Sequence, residues 1–263
     1  MSYYSLVTGA SKGIGLELSK LLAKDGHNLI LVARSIDLLN QIKEDLTTKY
    51  NIDIVVIAKD LTDPLSAKEL YNEVKTLNLD VDILINNAGY GDYGLFTDCN
   101  IEYHNKMIQL NITTLIDLCY YFANDMKTRK SGKIMNVGSI ASFFCGPLMS
   151  TYYATKAFVL SFSEALSKEL KNDGITVTAL CPGTTDTNFF VAANASNDKT
   201  NLLKKMRPAS KEAVAKYGYK KMMKNKVVAV HGFKNRAAIF FGRFVSRKAK
   251  RNIVYNIQKQ RKQ

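Results

Sequence analysis

The chain has 263 residues, 46% hydrophobic and 23% charged, an ordinary globular composition for which one α/β domain is long enough. No basic segment leads into an apolar run at the start, and no run long enough to cross a bilayer lacks a charge, so neither a secretory signal nor a membrane-spanning helix is expected. The net charge of +14 is uneven: residues 213–263 carry 15 of the 37 Lys and Arg and no Asp or Glu, while residues 1–212 hold 22 basic against 23 acidic groups.

In chain order, the first strand reads as Tyr3-Tyr4-Ser5-Leu6-Val7. It runs into Thr8-Gly9-Ala10-Ser11-Lys12-Gly13-Ile14-Gly15, and a helical pattern follows from Leu16 to Lys24. Strand, glycine turn and helix form a phosphate-holding geometry, because glycines let the backbone approach the ligand and the helix start offers free N–H groups. The spacing Gly-x3-Gly-x-Gly differs from the common dinucleotide fingerprint, and a plain strand-to-helix turn is the alternative. A second strand, Asn28 to Ala33, ends in Arg34-Ser35 instead of the acid that would hold the ribose hydroxyls of NADH. Arg34, with Lys12, suits a 2′-phosphate and so favours NADPH; the alternative is a solvated loop charge.

A helix over Asp37–Tyr50 and a strand over Ile52–Ala58 are expected next. Asp60 and Leu61 fall at that strand's end, where an adenine or ribose is within reach; Asp60 equally suits a helix cap, with Asp63-Pro64 as a helix start. Another helix runs to about Leu77, and a strand over Val81–Ile85 ends in Asn86-Asn87-Ala88-Gly89. One long helix is expected from Ile101 to Met126, with Asn111 in its apolar interior as a satisfied amide or a kink. Strand Lys133–Val137 leads to Gly138-Ser139-Ile140. Ser150-Thr151-Tyr152-Tyr153-Ala154-Thr155-Lys156 opens a buried helix continuing over Ala157–Leu170. Tyr152 and Lys156 are four apart and share a face, where an ammonium would lower the phenol's pKa. A sixth strand, Ile175–Leu180, ends in Cys181-Pro182-Gly183-Thr184-Thr185-Asp186-Thr187.

Alternation of strands and helices implies an α/β fold, a Rossmann-type doubly wound parallel sheet of about seven strands, with ligands at the strands' carboxyl ends. One domain is expected over 1–263, with a substrate lid (or a surface insertion) at 188–206 and a basic extension over 234–263. The scattered Cys99, Cys119, Cys145 and Cys181 and the three histidines show no metal-ligand spacing, so no metal is expected and reduced thiols in a cytoplasmic setting fit. Ala237 to Val245 spaces apolar groups as a helix does, with Arg243, Arg247, Lys248, Lys250 and Arg251 close by. Such a tail fits an anionic membrane surface, giving a peripheral location, or docking on the body or a second subunit; nucleic acid is disfavoured by its Phe-rich character.

These motifs, in this order, resemble the short-chain dehydrogenase/reductase family over Tyr4 to about Thr187. The match includes the Thr8–Gly15 turn, Asn86 to Gly89, Asn111, Ser139 thirteen residues before Tyr152, Lys156, and Pro182-Gly183 through Thr187. The resemblance implies a homodimer or homotetramer reducing a carbonyl with NADPH. Tyr152 is then the proton donor. Lys156 tunes it and holds the nicotinamide ribose, Ser139 holds the substrate oxygen, and Asn111 keeps a relay water. Gly9, Ser11, Lys12, Gly13, Ile14, Gly15, Arg34, Asp60, Leu61, Asn87, Ala88, Gly89, Pro182, Gly183, Thr185 and Thr187 line the cofactor. Glu212 to Ala215 and Lys226 to Arg236 are more loosely similar to bacterial reductases related to long-chain ketoacyl and hydroxysteroid reductases, which implies a hydrophobic ketone, aldehyde or 3-oxoacyl substrate. Gly138 where many members have Ser, and His231-Gly232 where relatives often have Pro-Gly, depart from the pattern. A cofactor-binding regulator without turnover and a peripheral membrane-binding protein in which the tail is the working part are the alternative functions, and the intact Asn111, Ser139, Tyr152 and Lys156 set weighs against the first.

Overall fold

The computed structural model describes residues 3–186 and 208–259. Seven strands form one sheet: β1 (Tyr3–Thr8), β2 (Asn28–Ala33), β3 (Ile54–Ala58), β4 (Asp80–Asn86), β5 (Gly132–Val137), β6 (Ile175–Cys181) and β7 (Val228–Val230). Every pairing is parallel and the order is β3-β2-β1-β4-β5-β6-β7. The order reverses direction between β1 and β4. The crevice outside their carboxyl ends is therefore where a ligand would bind in such a sheet.

Both faces of the sheet are covered, which is why its strands read as nearly continuous apolar runs. Helices α1 (Gly13–Lys24), α2 (Ile36–Tyr50) and a later helix α7 (Lys211–Met223) pack on one face. There Val7, Leu18, Leu22, Leu39, Val214 and Met222 share a core. On the other face lie α3 (Ser66–Thr76), α5 (Thr114–Arg129) and α6 (Ser150–Glu169), with Leu6, Leu70, Leu118, Phe122 and Val159 in a second core. The adjacent Leu6 and Val7 serve opposite cores because successive strand side chains alternate. A buried polar cluster bridges β4, β5 and α6: Asn86 Nδ2 donates to Asn136 Oδ1 at 2.9 Å, and Asn136 Nδ2 donates to Ser163 Oγ at 3.0 Å.

Most expected bounds hold within a residue or two; the third strand starts at Ile54, since Asn51 takes a left-handed φ of 52° to end α2. One expected element differs in kind. The long helix from Ile101 to Met126 is interrupted: α4 (Ile101–Ile108) and α5 are joined by a π-turn at Gln109–Thr113 that contains Asn111. A π-turn inserts a residue into the helical ladder and re-aims the side chain there. Nor does Asp63-Pro64 start a helix: α3 begins at Ser66, and Asp63 Oδ1 accepts the Leu65 N–H at 2.8 Å in the preceding turn. Asp60 caps no helix either; its Oδ1 accepts from the N–H and hydroxyl of Thr62. The tail folds as α8 (Phe233–Gly242) and α9 (Arg247–Gln258).

Candidate active site

The glycine turn lies at the carboxyl end of β1, against the Asn86–Gly89 segment at the end of β4. Thr8 Oγ1 accepts the N–H groups of Asn87 and Ala88, both at 3.0 Å, and Asn87 Nδ2 donates to the Thr8 and Gly9 carbonyls at 3.0 and 3.2 Å. Glycine is required at three points of this turn. Gly9 and Gly13 hold φ values of 64° and 59°, and a Cβ on Gly15 would collide with the Gly9 carbonyl and the Asn87 amide. The first turn of α1 has no side-chain cap and no acid. Its leading backbone N–H groups therefore have no side-chain cap, with Ser11 and Ile14 half-buried beside them and Lys12 exposed. A dinucleotide pyrophosphate fits this cradle. Arg34 is exposed at the end of β2, Asp60 is exposed past β3, and Leu61 is buried beneath. All the expected cofactor residues from Gly9 to Gly89 thus fall along one edge of the sheet.

The residues expected to handle protons gather beside that edge. Tyr152 sits in the first turn of α6, and Lys156 follows one turn later. Lys156 is buried, 5% exposed; its Nζ donates to the Val137 carbonyl at 2.9 Å and lies 5.9 Å from the Tyr152 ring centre. None of the ion pairs among the described residues includes it. Burial pulls the Lys156 pKa down to about 8. The Tyr152 pKa moves opposite to expectation: burial pushes it well above the usual phenol value, and a hydrogen bond from Ser139 offsets part of the rise. At this distance desolvation of the hydroxyl outweighs the ammonium.

Ser139 closes β5 and caps a short 3₁₀ turn, Ile140–Phe143, where its Oγ accepts the Ala141 N–H at 3.1 Å. Ser142 completes the cap and ties it to α6 by donating to the Lys156 carbonyl at 2.6 Å. Gly138, the departure from the family pattern, is tightly enclosed: a Cβ would stand 3.3 Å from Ser142 Oγ and 3.4 Å from Cys181 Sγ. Asn111 is 1% exposed and fully engaged. It donates to the Tyr90 carbonyl at 2.9 Å and to Thr155 Oγ1 at 3.1 Å, and it accepts the Tyr90 N–H at 3.2 Å. Asn111 and Lys156 converge on Gly89, where a Cβ would lie 2.9 Å from Asn111 Oδ1 and 3.4 Å from Lys156 Nζ. The kink and the satisfied amide are thus one device, with the π-turn delivering Asn111 to the β4 end.

Pro182 and Gly183 follow β6, and Thr185 is buried, its hydroxyl donating to the Gly183 carbonyl at 3.0 Å. Thr187 and the expected lid at 188–206 lie outside the described residues. Several wall residues were not named as site residues from the sequence. Asn235 of α8 packs directly on Gly183, and its Nδ2 donates to the His231 carbonyl at 2.8 Å. A small cavity beside Tyr152 is walled by Asp92, Phe96, His104, Met107, Leu148 and Met149. His104 is 5% exposed, and neither ring nitrogen has a hydrogen-bond partner among the described residues. Asp92, Cys99 and His104 bring their ligand-type atoms within 4.8 Å of one another, the one such group among the described residues. However, Asp92 already accepts the Tyr93 N–H, and the Cys99 thiol donates to the Leu95 carbonyl. These residues reach the site on the loop from Tyr90 to Cys99 and on α4, which is why spacing in sequence did not reveal them.

A doubly wound sheet with a glycine cradle at its switch point and a Tyr–Lys pair beside it defines an NAD(P)-dependent oxidoreductase. The pattern described as short chain dehydrogenase matches residues 4–198, and the chain belongs to the short-chain dehydrogenase/reductase family. Among curated proteins it is 32% identical over 211 residues to the very-long-chain 3-oxoacyl-CoA reductase of Macaca fascicularis, covering 78% of this chain and 64% of the relative. This chain therefore spans less than two thirds of that relative's length. Among solved structures, a short-chain dehydrogenase from Sphingobium yanoikuyae in complex with NADPH superposes with a TM-score of 0.82 at 29% identity, over 92% of this chain and 94% of that one. The bulky-bulky ketone specific alcohol dehydrogenase from Comamonas testosteroni gives a TM-score of 0.77 at 28% identity, over 92% of both chains.

Proposed function

We propose that this protein reduces the carbonyl of a hydrophobic, acyl-chain-bearing substrate, of the 3-oxoacyl type, with NADPH as reductant. The observation that carries this reading is the convergence of Tyr152, Ser139, Lys156 and Asn111 beside the glycine cradle, with the apolar Phe96, Met107, Leu148 and Met149 on the other side. The relatives named as 3-oxoacyl-CoA reductases support the substrate class, and the NADPH-bound neighbour supports the cofactor. When bound, the nicotinamide supplies the hydride. Tyr152 donates its proton to the carbonyl oxygen as that oxygen gains charge; its raised pKa keeps it protonated and so competent as an acid. Ser139 hydrogen-bonds the same oxygen. Lys156, without an acid partner, offers its charge to the reacting pair and its N–H groups to ribose hydroxyls. Asn111 fixes the Tyr90 backbone and Thr155, which holds the floor of this corner rigid. Homo-oligomeric contact is assigned to the outer faces of α5 and α6, where Tyr120 is 65% exposed and Phe158 stacks on Phe162.

Because Lys156 titrates near 8, its charge is present below that pH and lost above it. In a pH–rate profile, kcat/KM for reduction is expected to fall on the alkaline side of about 8; a flat profile to pH 10 would remove Lys156 from the reaction. The substrate class is tested by following NADPH oxidation over a series of 3-oxoacyl-CoA esters and small ketones. Efficiency should rise with acyl length by about tenfold or more for each two or three buried methylenes. Equal efficiency with a four-carbon and a long-chain ester would overturn the acyl assignment.

A further inference from the structure

The two tail helices bury almost nothing against the body. No residue of α8 is buried, and in α9 only Gln258 is. A helix in a folded protein normally gains its stability by covering an apolar face. Here that face points outward: Phe233, Phe240, Phe241 and Phe244 are 77%, 52%, 65% and 78% exposed, and Ile253 and Ile257 are each 51% exposed. The rings of Phe240, Phe241 and Phe244 touch one another, with centroids 5.4 and 5.7 Å apart, so the exposed groups form a patch and not scattered points. Ile253 and Ile257 lie four apart, on one side of α9.

Charge identifies what covers the patch. Residues 234–259 contain eight Lys and Arg and no Asp or Glu. None of the eight enters an ion pair among the described residues. A second copy docking by the same surface would bring two uncompensated basic sets together. The surface of a bilayer containing anionic phospholipid supplies both a negative plane for Lys and Arg and an apolar layer for the phenylalanines. We propose that α8 and α9 are an anionic-membrane docking surface.

The tail meets the site wall through both helices: Asn235 of α8 packs on Gly183, and α9 is held through Gln258. Gln258 Nε2 donates to the Tyr153 hydroxyl at 2.6 Å, and the Tyr93 hydroxyl donates to the Gln258 carbonyl at 2.6 Å. Tyr153 adjoins Tyr152, and Tyr93 lies between the cavity residues Asp92 and Gly94. The docked surface and the cavity are thereby held in fixed relation, so that a lipid-soluble substrate leaving the bilayer meets the site at its wall.

Sedimentation of the full chain with phosphatidylcholine vesicles, with and without about one third phosphatidylglycerol, tests the surface. The wild type is expected to pellet with the anionic vesicles at about 50 mM salt and to be released at about 500 mM. The exposed double substitutions Phe240→Ser/Phe244→Ser and Arg243→Glu/Arg247→Glu should each weaken partition by about tenfold or more, with an unchanged circular dichroism spectrum and melting temperature. Wild type remaining in the supernatant, Phe240→Ser/Phe244→Ser pelleting as fully as wild type, or retention by single-stranded RNA alone would each overturn the proposal. The readout does not depend on turnover, so it stands or falls separately from the reductase reading.

Discussion

Tyr152→Phe is expected to lower carbonyl reduction by about 10²–10⁴-fold while NADPH binding, read by fluorescence titration, is unchanged. The substitution removes one oxygen and keeps the ring, which stands edge-on to Tyr153 at 6.1 Å. Ser139, the partner of that hydroxyl, keeps its bond from the Ala141 N–H, so the fold loses at most about 1–2 kcal/mol. The loss should appear in kcat, because the proton is required in the transition state and not for binding. A variant as active as wild type would place the general acid elsewhere.

Arg34→Asp is expected to move cofactor preference toward NADH, changing the ratio of kcat/KM for NADPH over NADH by about 10–150-fold. That range corresponds to one charge-assisted hydrogen bond to the 2′-phosphate, about 1.5–3 kcal/mol. Arg34 is exposed on the turn after β2, so the substitution leaves the core untouched. The new carboxylate also stands at the position that would accept the ribose hydroxyls of NADH, so both efficiencies should move in opposite directions. If the ratio is unchanged, Arg34 does not read the 2′-phosphate.

The sheet and the cradle were legible because the chemistry is local. Strands buried on both faces print apolar runs, and a turn with φ values near 60° prints as glycine. Tyr152 and Lys156 were legible because helical spacing is fixed. Asn111 was legible as a satisfied amide or a kink but not as both at once: nothing in Gln109–Thr113 distinguishes a π-turn from an α-turn until the Tyr90 backbone and Thr155 are placed beside it. The direction of the Tyr152 pKa was missed for a related reason, since burial is a property of the assembled site. His104 and Asp92 reach the site from segments with no recognisable motif, and Asn235, in a stretch that carried only a loose resemblance, comes from a helix well over a hundred residues away from Gly89. Two readings of the tail, docking on the body and facing a membrane, were alternatives in sequence. Gln258 meets Tyr153 and Tyr93, while Phe240 and Phe244 are exposed, an asymmetry that only the assembled helices display.

The central claim is hydride delivery to a carbonyl held by Tyr152 and Ser139. It is tested most directly by supplying NADPH with both hydrogens at the nicotinamide C4 replaced by deuterium, together with a long-chain 3-oxoacyl-CoA, and analysing the product by mass spectrometry. One deuterium is expected on the carbinol carbon, formed by the wild type and about 10²–10⁴-fold more slowly by Tyr152→Phe. A product without deuterium, or no product while the cofactor stays bound, would contradict it.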